Sequence, residues 1–271
     1  MSAPIAVSIA GSDPSGGAGI EADLKTFSAL GVYGAAVITA LTAQNTKGVF
    51  GIHDVPADFI AAQINAVFTD LDLGAVKIGM LGNPAAIDVV TAALDRYRPR
   101  NVVFDPVMVA SSGQPLLRGD ALGRLRELIA RVRVLTPNLP EAAALLAAAP
   151  ARDEDEMRTQ AQRLLALGPA AVLIKGGHVE GGNGGGAESV DLLVEAGGET
   201  LRLAAPRIAT ENTHGTGCTF ASAIAAGLAK GLPLQTAARE AKSYVSAAIA
   251  AADRLGVGTG HGPLHHFHAW W

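Results

Sequence analysis

A glycine-rich segment around the single cysteine is the part of the sequence that most clearly indicates chemistry. It reads NTHGTGCT over residues 212–219 and stands directly before the apolar helical segment 220–228. Gly215 and Gly217 allow successive backbone N–H groups to converge at a helix N-terminus, where anions such as phosphate bind. Cys218 would lie in the first helical turn, and we expect the helix dipole to lower its thiol pKa. A lone cysteine is more often a small buried side chain, but the flanking glycines favour a thiolate that accepts the proton of an attacking alcohol.

Four further polar residues stand at or after predicted strands and could act on a nucleotide. Asp105 ends one strand, and Asn138 and Glu141 open the helix that follows the next. Their oxygens could hold Mg²⁺ or its water ligands, although Asn138 and Glu141 also fit a helix cap and its capping-box partner. Lys175 stands at another strand end, before two glycines. Its ammonium could neutralise phosphate, or it could be a solvated strand terminus.

A second glycine-rich loop, GSDPSGGAG at residues 11–19, follows the first predicted strand. Gly16, Gly17 and Gly19 do not have the G-x-G-x-x-G spacing of a dinucleotide site, and the sequence has no Walker A motif. The loop could bring backbone close to a small ligand, with Asp23 one turn into the next helix. A tight strand-to-helix turn explains it equally well.

The C-terminal tail is rich in histidine. Four of the seven histidines fall within the last eleven residues, at His261, His265, His266 and His268, and the chain ends in two tryptophans. No cysteine or carboxylate accompanies them there, so packing of an aromatic tail is favoured over a zinc site.

The elements that must position these residues alternate between short apolar strands and longer alanine-rich helices. The predicted strands are Ile5–Ala10, Ala35–Leu41, Ala75–Ile78, Asn101–Phe104, Val132–Leu135 and Ala171–Ile174. The predicted helices cover about 20–30, 57–70, 84–96, 120–131, 139–148, 154–167, 216–230 and 235–254. This alternation is typical of a parallel sheet covered by helices on both faces. Ligands bind such sheets beyond the carboxyl ends of the strands, where the polar and glycine residues of this chain collect.

The pattern changes after residue 175. GGNGGG at 181–186 predicts a mobile surface loop, and Ser189–Glu195 with Thr200–Ala204 predicts an antiparallel hairpin at the sheet edge. No internal repeat or long polar linker divides the 271 residues, so we expect a single domain over 1–271.

Composition and charge narrow the function classes. The formal net charge of −4 gives no electrostatic surface for nucleic acid or an anionic membrane. The first residues lack the cationic start of a signal peptide, and no stretch offers the roughly 20 mainly apolar residues of a membrane span. The single cysteine cannot form an internal disulfide. These features predict a cytoplasmic protein that binds small molecules.

Taken together, several segments resemble the bacterial hydroxymethylpyrimidine/phosphomethylpyrimidine kinase family of thiamine biosynthesis. They are GSDPSGGAGIEADLKTFSALGVYG, ITALTAQNT, KIGML, DPVM, TPNLPEA, LIKGGH, NTHGTGCTF and the terminal GPLHHFHAWW. The resemblance runs nearly end to end, and the joint occurrence of the segments is highly specific. It implies a ribokinase-like α/β fold, a three-layer α/β/α sandwich with a central, mostly parallel sheet.

The resemblance also implies ATP-dependent phosphorylation of 4-amino-5-hydroxymethyl-2-methylpyrimidine, and then of its monophosphate to the diphosphate. The implied substrate-binding residues are Gln44, Gly11, Asp23 and Met80, and the ATP- and phosphate-binding residues are Thr213, Gly215, Gly217 and Asn138. The implied catalytic residues are Cys218 and Lys175, and Asp105 with Glu141 would organise Mg²⁺. Most ribokinase relatives carry an aspartate base where Cys218 stands. The family often dimerises, so a homodimer is compatible with the resemblance.

Two other functions stay open on the sequence alone. A pyridoxal kinase would phosphorylate a hydroxymethyl group on a different heteroaromatic ring. A non-catalytic pyrimidine-binding module could keep the same fold, although the presence of Asp105, Lys175 and Cys218 argues against it.

Overall fold

A central eight-stranded sheet organises the computed structural model of the chain, which describes residues 2–109, 116, 121–177 and 187–271. The strands of this sheet are β1 (Ile5–Ala10), β2 (Tyr33–Ile38), β5 (Ala75–Ile78), β6 (Val102–Phe104), β7 (Val134–Leu135), β8 (Ala171–Lys175), β9 (Glu188–Glu195) and β10 (Thr200–Pro206). Their order is β10-β9-β8-β7-β6-β5-β1-β2. Strands β1, β2 and β5–β8 are parallel, whereas β9 runs antiparallel to both of its neighbours. This confirms the expected sheet and its antiparallel edge hairpin.

Helices cover both faces of the sheet and close two hydrophobic cores. One layer contains α1 (Gly19–Ala29), α7 (Thr216–Ala229) and α8 (Leu234–Ala250). The other contains α2 (Ala57–Asp70), α3 (Pro84–Tyr97), α4 (Ala121–Ile129), α5 (Leu139–Leu146) and α6 (Glu154–Leu165). Val76 and Ile78 of β5 pack in the second core, so the alternation of a strand directs Lys77 between them toward α1 and α7. Among the described residues, no helix is long and apolar enough to cross a membrane.

A small hairpin of two strands, β3 (Ala40–Asn45) and β4 (Gly48–Asp54), is the element that the sequence analysis missed. The predicted strand Ala35–Leu41 is wrong in its second half, because β2 ends at Ile38 and β3 belongs to a separate sheet. Thr39 lies at the break, where its hydroxyl donates to the carbonyl of Met80 and its N–H to that of Ala10. These bonds turn the chain across the carboxyl ends of β1 and β5.

The other predicted elements are confirmed, and most of their ends agree within two residues. The predicted helix 235–254 is shorter, because α8 ends at Ala250 and the 3₁₀ turn Ala252–Arg254 follows it. The predicted loop at 181–186 lies outside the described residues.

Candidate active site

The N-terminus of α7 meets the carboxyl ends of the central strands, and Gly217 marks the meeting point. A methyl group on Gly217 would lie 3.0 Å from Nζ of Lys175 and 3.4 Å from Oδ2 of Asp105. Lys175 ends β8, and Asp105 directly follows β6. The structure therefore brings three of the predicted site residues together from distant parts of the chain.

The turn before α7, residues 212–217, requires glycine at Gly215. Gly215 has a φ of 84°, and a methyl group there would lie 1.9 Å from the carbonyl oxygen of Gly17. We call residues 212–217 the phosphate turn, after the phosphate binding that the sequence predicts there. This turn is packed backbone to backbone against the first glycine-rich loop. No side chain among the described residues caps α7 at Gly215. Thr216 donates its N–H to the carbonyl of Thr213 at 3.2 Å, and anion binding by the other N–H groups of this turn stays a prediction.

A buried cluster of one cation and two carboxylates lies beside this turn. Nζ of Lys175 donates to Oδ1 of Asp105 at 2.6 Å and lies 4.0 Å from Oε2 of Glu141. Burial opposes the charge of Lys175, but Asp105 and Glu141 outweigh this effect and raise the lysine pKa. Burial raises the pKa of Glu141 to about 7, Asp105 adds to the increase, and Lys175 opposes it. Glu141 therefore titrates near neutral pH.

Asn138 and Glu141 also form the helix cap that the sequence allowed. Oδ1 of Asn138 accepts from the N–H of Glu141, and Oε2 of Glu141 accepts from the N–H of Asn138, each at 2.8 Å. The backbone of Asn138 also bridges to Lys175 at the end of β8. The capping box fixes Glu141 next to Lys175, so the structural and the functional interpretations of this pair are compatible.

Hard oxygen ligands for a cation are present but few. Oδ2 of Asp105 lies near Gly217, and Glu141 is the second carboxylate of the cluster. The described residues contain no group of three or more His, Cys, Asp or Glu side chains that could hold a metal by themselves. This donor set fits Mg²⁺, which is usually held by one or two carboxylates together with substrate phosphates.

Cys218 lies in the first turn of α7 and is half-buried, but its thiol is less acidic than the sequence predicts. Burial raises the pKa of Cys218 to about 11. Asp23 and Asp105 add to the increase, while Lys77 and the N–H of Gly19 act in the opposite direction. The expectation of a lowered pKa is wrong, because desolvation and two nearby carboxylates exceed the stabilising effect of the helix N-terminus.

Asp23 is completely buried and does not line the site. Its Oδ2 accepts from Lys77 at 2.7 Å and from Ser8 at 2.5 Å, and its Oδ1 accepts from Ser222 at 2.6 Å. Its side chain has no exposed surface. The structure therefore differs from the predicted substrate contact, because both oxygens are occupied beneath the site.

The other residues that the resemblance implies for substrate binding lie around the first loop and the β3–β4 hairpin. Gln44 is half-buried inside β3, and its amide nitrogen lies 3.3 Å from Nε2 of His214 in the phosphate turn. Met80 packs so closely on Gly11 that a methyl group at Gly11 would lie 2.5 Å from the end of the methionine side chain. The hairpin therefore brings Gln44 to the turn that carries Gly215 and Gly217.

Asp13 and His214 hold these parts together, although the sequence analysis gave neither a role. Nε2 of His214 lies 2.8 Å from Oδ2 of Asp13, which also accepts from the N–H of Ala18 at 2.9 Å. Burial alone would raise the pKa of Asp13, but hydrogen bonds from His214 and Ser15 lower it below its ordinary value. The sequence signal that could have identified them was their position, because Asp13 lies in the glycine-rich segment 11–19 and His214 in the segment 212–219.

The histidine tail packs against α7 and α8. Nε2 of His266 lies 3.0 Å from the hydroxyl of Thr219, and Tyr244 donates to the carbonyl of His266 at 2.7 Å. Burial lowers the pKa of His266 to about 3, so this imidazole is neutral. His265 and His266 are buried and the ring of His265 lies 4.6 Å from that of Trp271, as packing predicts, but Trp270 and Trp271 are mostly exposed.

Comparison with known proteins relates this chain to an enzyme family. The sequence profile of the family described as phosphomethylpyrimidine kinase matches residues 13–265. A hydroxymethylpyrimidine/phosphomethylpyrimidine kinase of Rhizobium meliloti (strain 1021) is 57% identical over 269 residues, which are 98% of this chain and 98% of that protein. The thiamine biosynthesis bifunctional protein ThiED of Geobacter sulfurreducens is 51% identical over 261 residues, which are 96% of this chain and 51% of that protein.

A solved structure extends the comparison to the fold. The ADP complex of Bacillus subtilis pyridoxal kinase has a TM-score of 0.88 and 34% identity, and the match covers 99% of each chain. The expected ribokinase-like architecture is therefore confirmed. Because the profile spans most of the sequence and a full-length relative shares more than half of its residues, the chain belongs to the phosphomethylpyrimidine kinase family.

Proposed function

We propose that this chain transfers the γ-phosphoryl group of ATP to the hydroxymethyl oxygen of 4-amino-5-hydroxymethyl-2-methylpyrimidine, and then phosphorylates the monophosphate to the diphosphate for thiamine biosynthesis. The family supports the kinase activity and both acceptors. One geometric observation carries the proposal. Gln44 approaches the phosphate turn through His214, while Lys175 and Asp105 flank the same turn at Gly217. This arrangement would place a heteroaromatic ring bound by Gln44 next to a polyphosphate bound at Gly217.

Phosphoryl transfer requires alignment and charge neutralisation more than covalent chemistry. The N–H groups at the start of α7 and the ammonium of Lys175 would stabilise the oxygens of the transferred group, with Thr213 and Asn138 beside the nucleotide. Asp105 and Glu141 would hold Mg²⁺, which supplies positive charge to the nucleotide phosphates when bound. Its removal by a chelator should therefore abolish transfer.

On the substrate side, we assign ring recognition to Gln44, because an amide can both donate and accept, as an aminopyrimidine edge requires. Gly11 and Met80 would pack on the ring. We assign no substrate contact to Asp23, since its oxygens are already paired with Lys77 and Ser222 beneath the site.

Cys218 would accept the proton of the first acceptor. In that reaction the oxygen–phosphorus bond forms, the bond to the ADP leaving group breaks, and the hydroxyl proton passes to Sγ of Cys218. A thiol pKa of about 11 makes the reactive thiolate the minor form near neutral pH. The second acceptor is a phosphate monoester that is already largely ionised, so it needs no base.

We further propose a single catalytic domain over residues 1–271, because the sheet combines strands from both halves of the chain. We place its reaction in the cytoplasm, where ATP is available and Cys218 stays reduced.

A coupled assay for ADP release tests the proposed function. With ATP and Mg²⁺, we expect turnover of the pyrimidine alcohol and of its monophosphate, and mass spectrometry should detect the diphosphate. EDTA should stop both reactions. A product that remains the monophosphate after exhaustive reaction would remove the second activity.

Pyridoxal kinase is the second candidate, because the compared pyridoxal kinase matches the whole chain. The 57% identity to a hydroxymethylpyrimidine/phosphomethylpyrimidine kinase favours the pyrimidine. Pyridoxal belongs in the same assay as a competing acceptor. A higher kcat/KM for pyridoxal than for the pyrimidine alcohol would reverse the assignment.

A further inference from the structure

A buried polar network beneath the phosphate turn has no part in the mechanism described above. It consists of Lys77 from β5, Asp23 from α1, Ser8 from β1 and Ser222 from α7, with the carboxylate of Asp23 at its centre. Lys77 and Asp23 are both fully buried. Lys77 interrupts the otherwise apolar strand Ala75–Ile78, which is the one sequence signal for this network.

The network lies directly against the helix turn that carries Cys218. Ser222 follows Cys218 by four residues, so the two side chains share one face of α7. On the opposing helix, Asp23 follows Gly19 by four residues. The carboxylate of Asp23 accepts from the hydroxyl of Ser222 at 2.6 Å. The two helices therefore face each other at the ion pair, one helical turn from the thiol of Cys218.

Packing alone gives little reason for such an arrangement. Taking two charges out of water is costly, and a buried ion pair seldom stabilises a fold more than well-packed apolar side chains do. Two apolar residues could join β5 to α1 at this position at least as well. An effect on the electrostatic potential at the neighbouring thiol of Cys218 would account for the two charges.

We propose that the Lys77–Asp23 ion pair sets the reactivity of Cys218, with the ammonium of Lys77 stabilising the thiolate and the carboxylate of Asp23 opposing it. Both are positioning residues, since neither reaches the substrate. The proposal rests on the proposed function in one respect, namely the use of Cys218 as proton acceptor. Four charged groups face the thiol: Lys77 on β5, Asp23 on α1, Asp105 after β6 and Lys175 at the end of β8.

The single cysteine makes the test direct, because alkylation by iodoacetamide adds one mass increment at one site. Well below the thiol pKa, the alkylation rate is proportional to the thiolate fraction. At pH 8.5 we expect Lys77→Met to slow alkylation about tenfold and Asp23→Asn to accelerate it about tenfold, because each removes one charge of opposite sign. An ion pair that only held β5 to α1 would give changes of the same sign in both variants, since either substitution breaks the same contact.

Lys242→Met is the matched control. Lys242 is also a buried lysine paired with an aspartate, Asp191, at 2.7 Å, but it lies on α8 against β9. Its variant should leave the alkylation rate unchanged, and Cys218→Ser should give no adduct. Changes of the same sign, or no change, in the two test variants would overturn the proposal. If Lys77→Met fails to fold, Asp23→Asn decides, and an unchanged or slower rate rejects the proposal. The assay needs no substrate, so loss of the proposed kinase activity would be recognised separately.

Discussion

At the residue scale, we expect recognition of the pyrimidine to depend on the amide of Gln44. Gln44→Ala should weaken binding of the pyrimidine alcohol by about 1–3 kcal/mol, because hydrogen bonds to a buried ring are lost. Binding of ATP should stay almost unchanged, since we expect its phosphates to contact Lys175 and the backbone N–H groups of α7 and not the amide of Gln44. Calorimetry with each ligand separates the two effects. Lys47→Ala, at the exposed turn of the same hairpin, is the control. Unchanged pyrimidine affinity in Gln44→Ala would remove this residue from the pocket.

We expect substitution of Cys218 to affect the alcohol acceptor and the monophosphate acceptor differently. Cys218→Ser should lower kcat for the alcohol by roughly 10²–10⁴-fold, the usual scale of acid–base catalysis. The monophosphate reaction should lose much less, because its acceptor oxygen is already ionised. Steady-state kinetics with both acceptors measure the difference. An equal loss in both would indicate damage to the anion-binding turn instead, since that turn serves either acceptor.

The pH dependence of the same reaction follows from two raised pKa values. Glu141, with a pKa of about 7, is ionised above pH 8, whereas Cys218, with a pKa of about 11, is still mostly protonated there. Between pH 8 and 10, kcat for the alcohol should therefore rise about tenfold per pH unit, as the thiolate fraction grows. The monophosphate reaction should be nearly flat over this range. A flat profile for the alcohol would exclude Cys218 as the base.

At the scale of elements, the connection between the phosphate turn and the first glycine-rich loop determines the site. Gly215→Ala should reduce turnover of both acceptors more than a hundredfold, because its methyl group would lie 1.9 Å from the carbonyl oxygen of Gly17 and push the turn away. Gly231→Ala is a matched control at the other end of α7. It has a similar φ of 82°, but no atom lies within 4 Å of the added methyl group.

The pair of variants separates backbone strain from collision. Gly231→Ala should lower the free energy of unfolding by about 1 kcal/mol and leave kcat unchanged, because only the strain of a positive φ is added. Denaturant unfolding and the kinase assay measure the two effects. Full activity in Gly215→Ala would show that the close approach of the two loops is not required.

The elements also explain how much could be read from the sequence. The sheet could be predicted from the apolar runs and the helices between them, because every central strand is buried on both faces and is therefore mostly apolar. The β3–β4 hairpin was missed because β2 ends before Thr39, which is held by hydrogen bonds to the carbonyl groups of Met80 and Ala10. Both partners are distant in sequence. The raised pKa of Cys218 and the burial of Asp23 could not be predicted either. The raised pKa of Cys218 results from burial first and from the charges of Asp23 and Asp105 next, and the buried Asp23 is paired with Lys77. Folding brings these groups together from distant parts of the chain.

At the scale of the whole molecule, the segment 260–262 joins the two parts of the site. At one end, the N–H of His261 donates to the carbonyl of Thr46 at 2.9 Å, in the turn of the hairpin that carries Gln44. At the other end, the carbonyl of Gly262 accepts from the N–H of His214 at 3.1 Å in the phosphate turn. A segment far along the chain thus links the hairpin that carries Gln44 to the turn that carries Gly215.

Gly262→Ala tests this spacing. Its methyl group would lie 2.1 Å from Oδ1 of Asn212, which forces the segment away from the phosphate turn. We expect kcat/KM for both acceptors to fall between about ten- and a hundredfold, the cost of a small misplacement of reacting groups. Gly197→Ala, in the β9–β10 turn with no atom within 4 Å of the new methyl group, should change nothing. If Gly262→Ala retained full activity while becoming less stable, the segment would serve packing alone, and the hairpin and the phosphate turn would keep their spacing through Gln44 and His214.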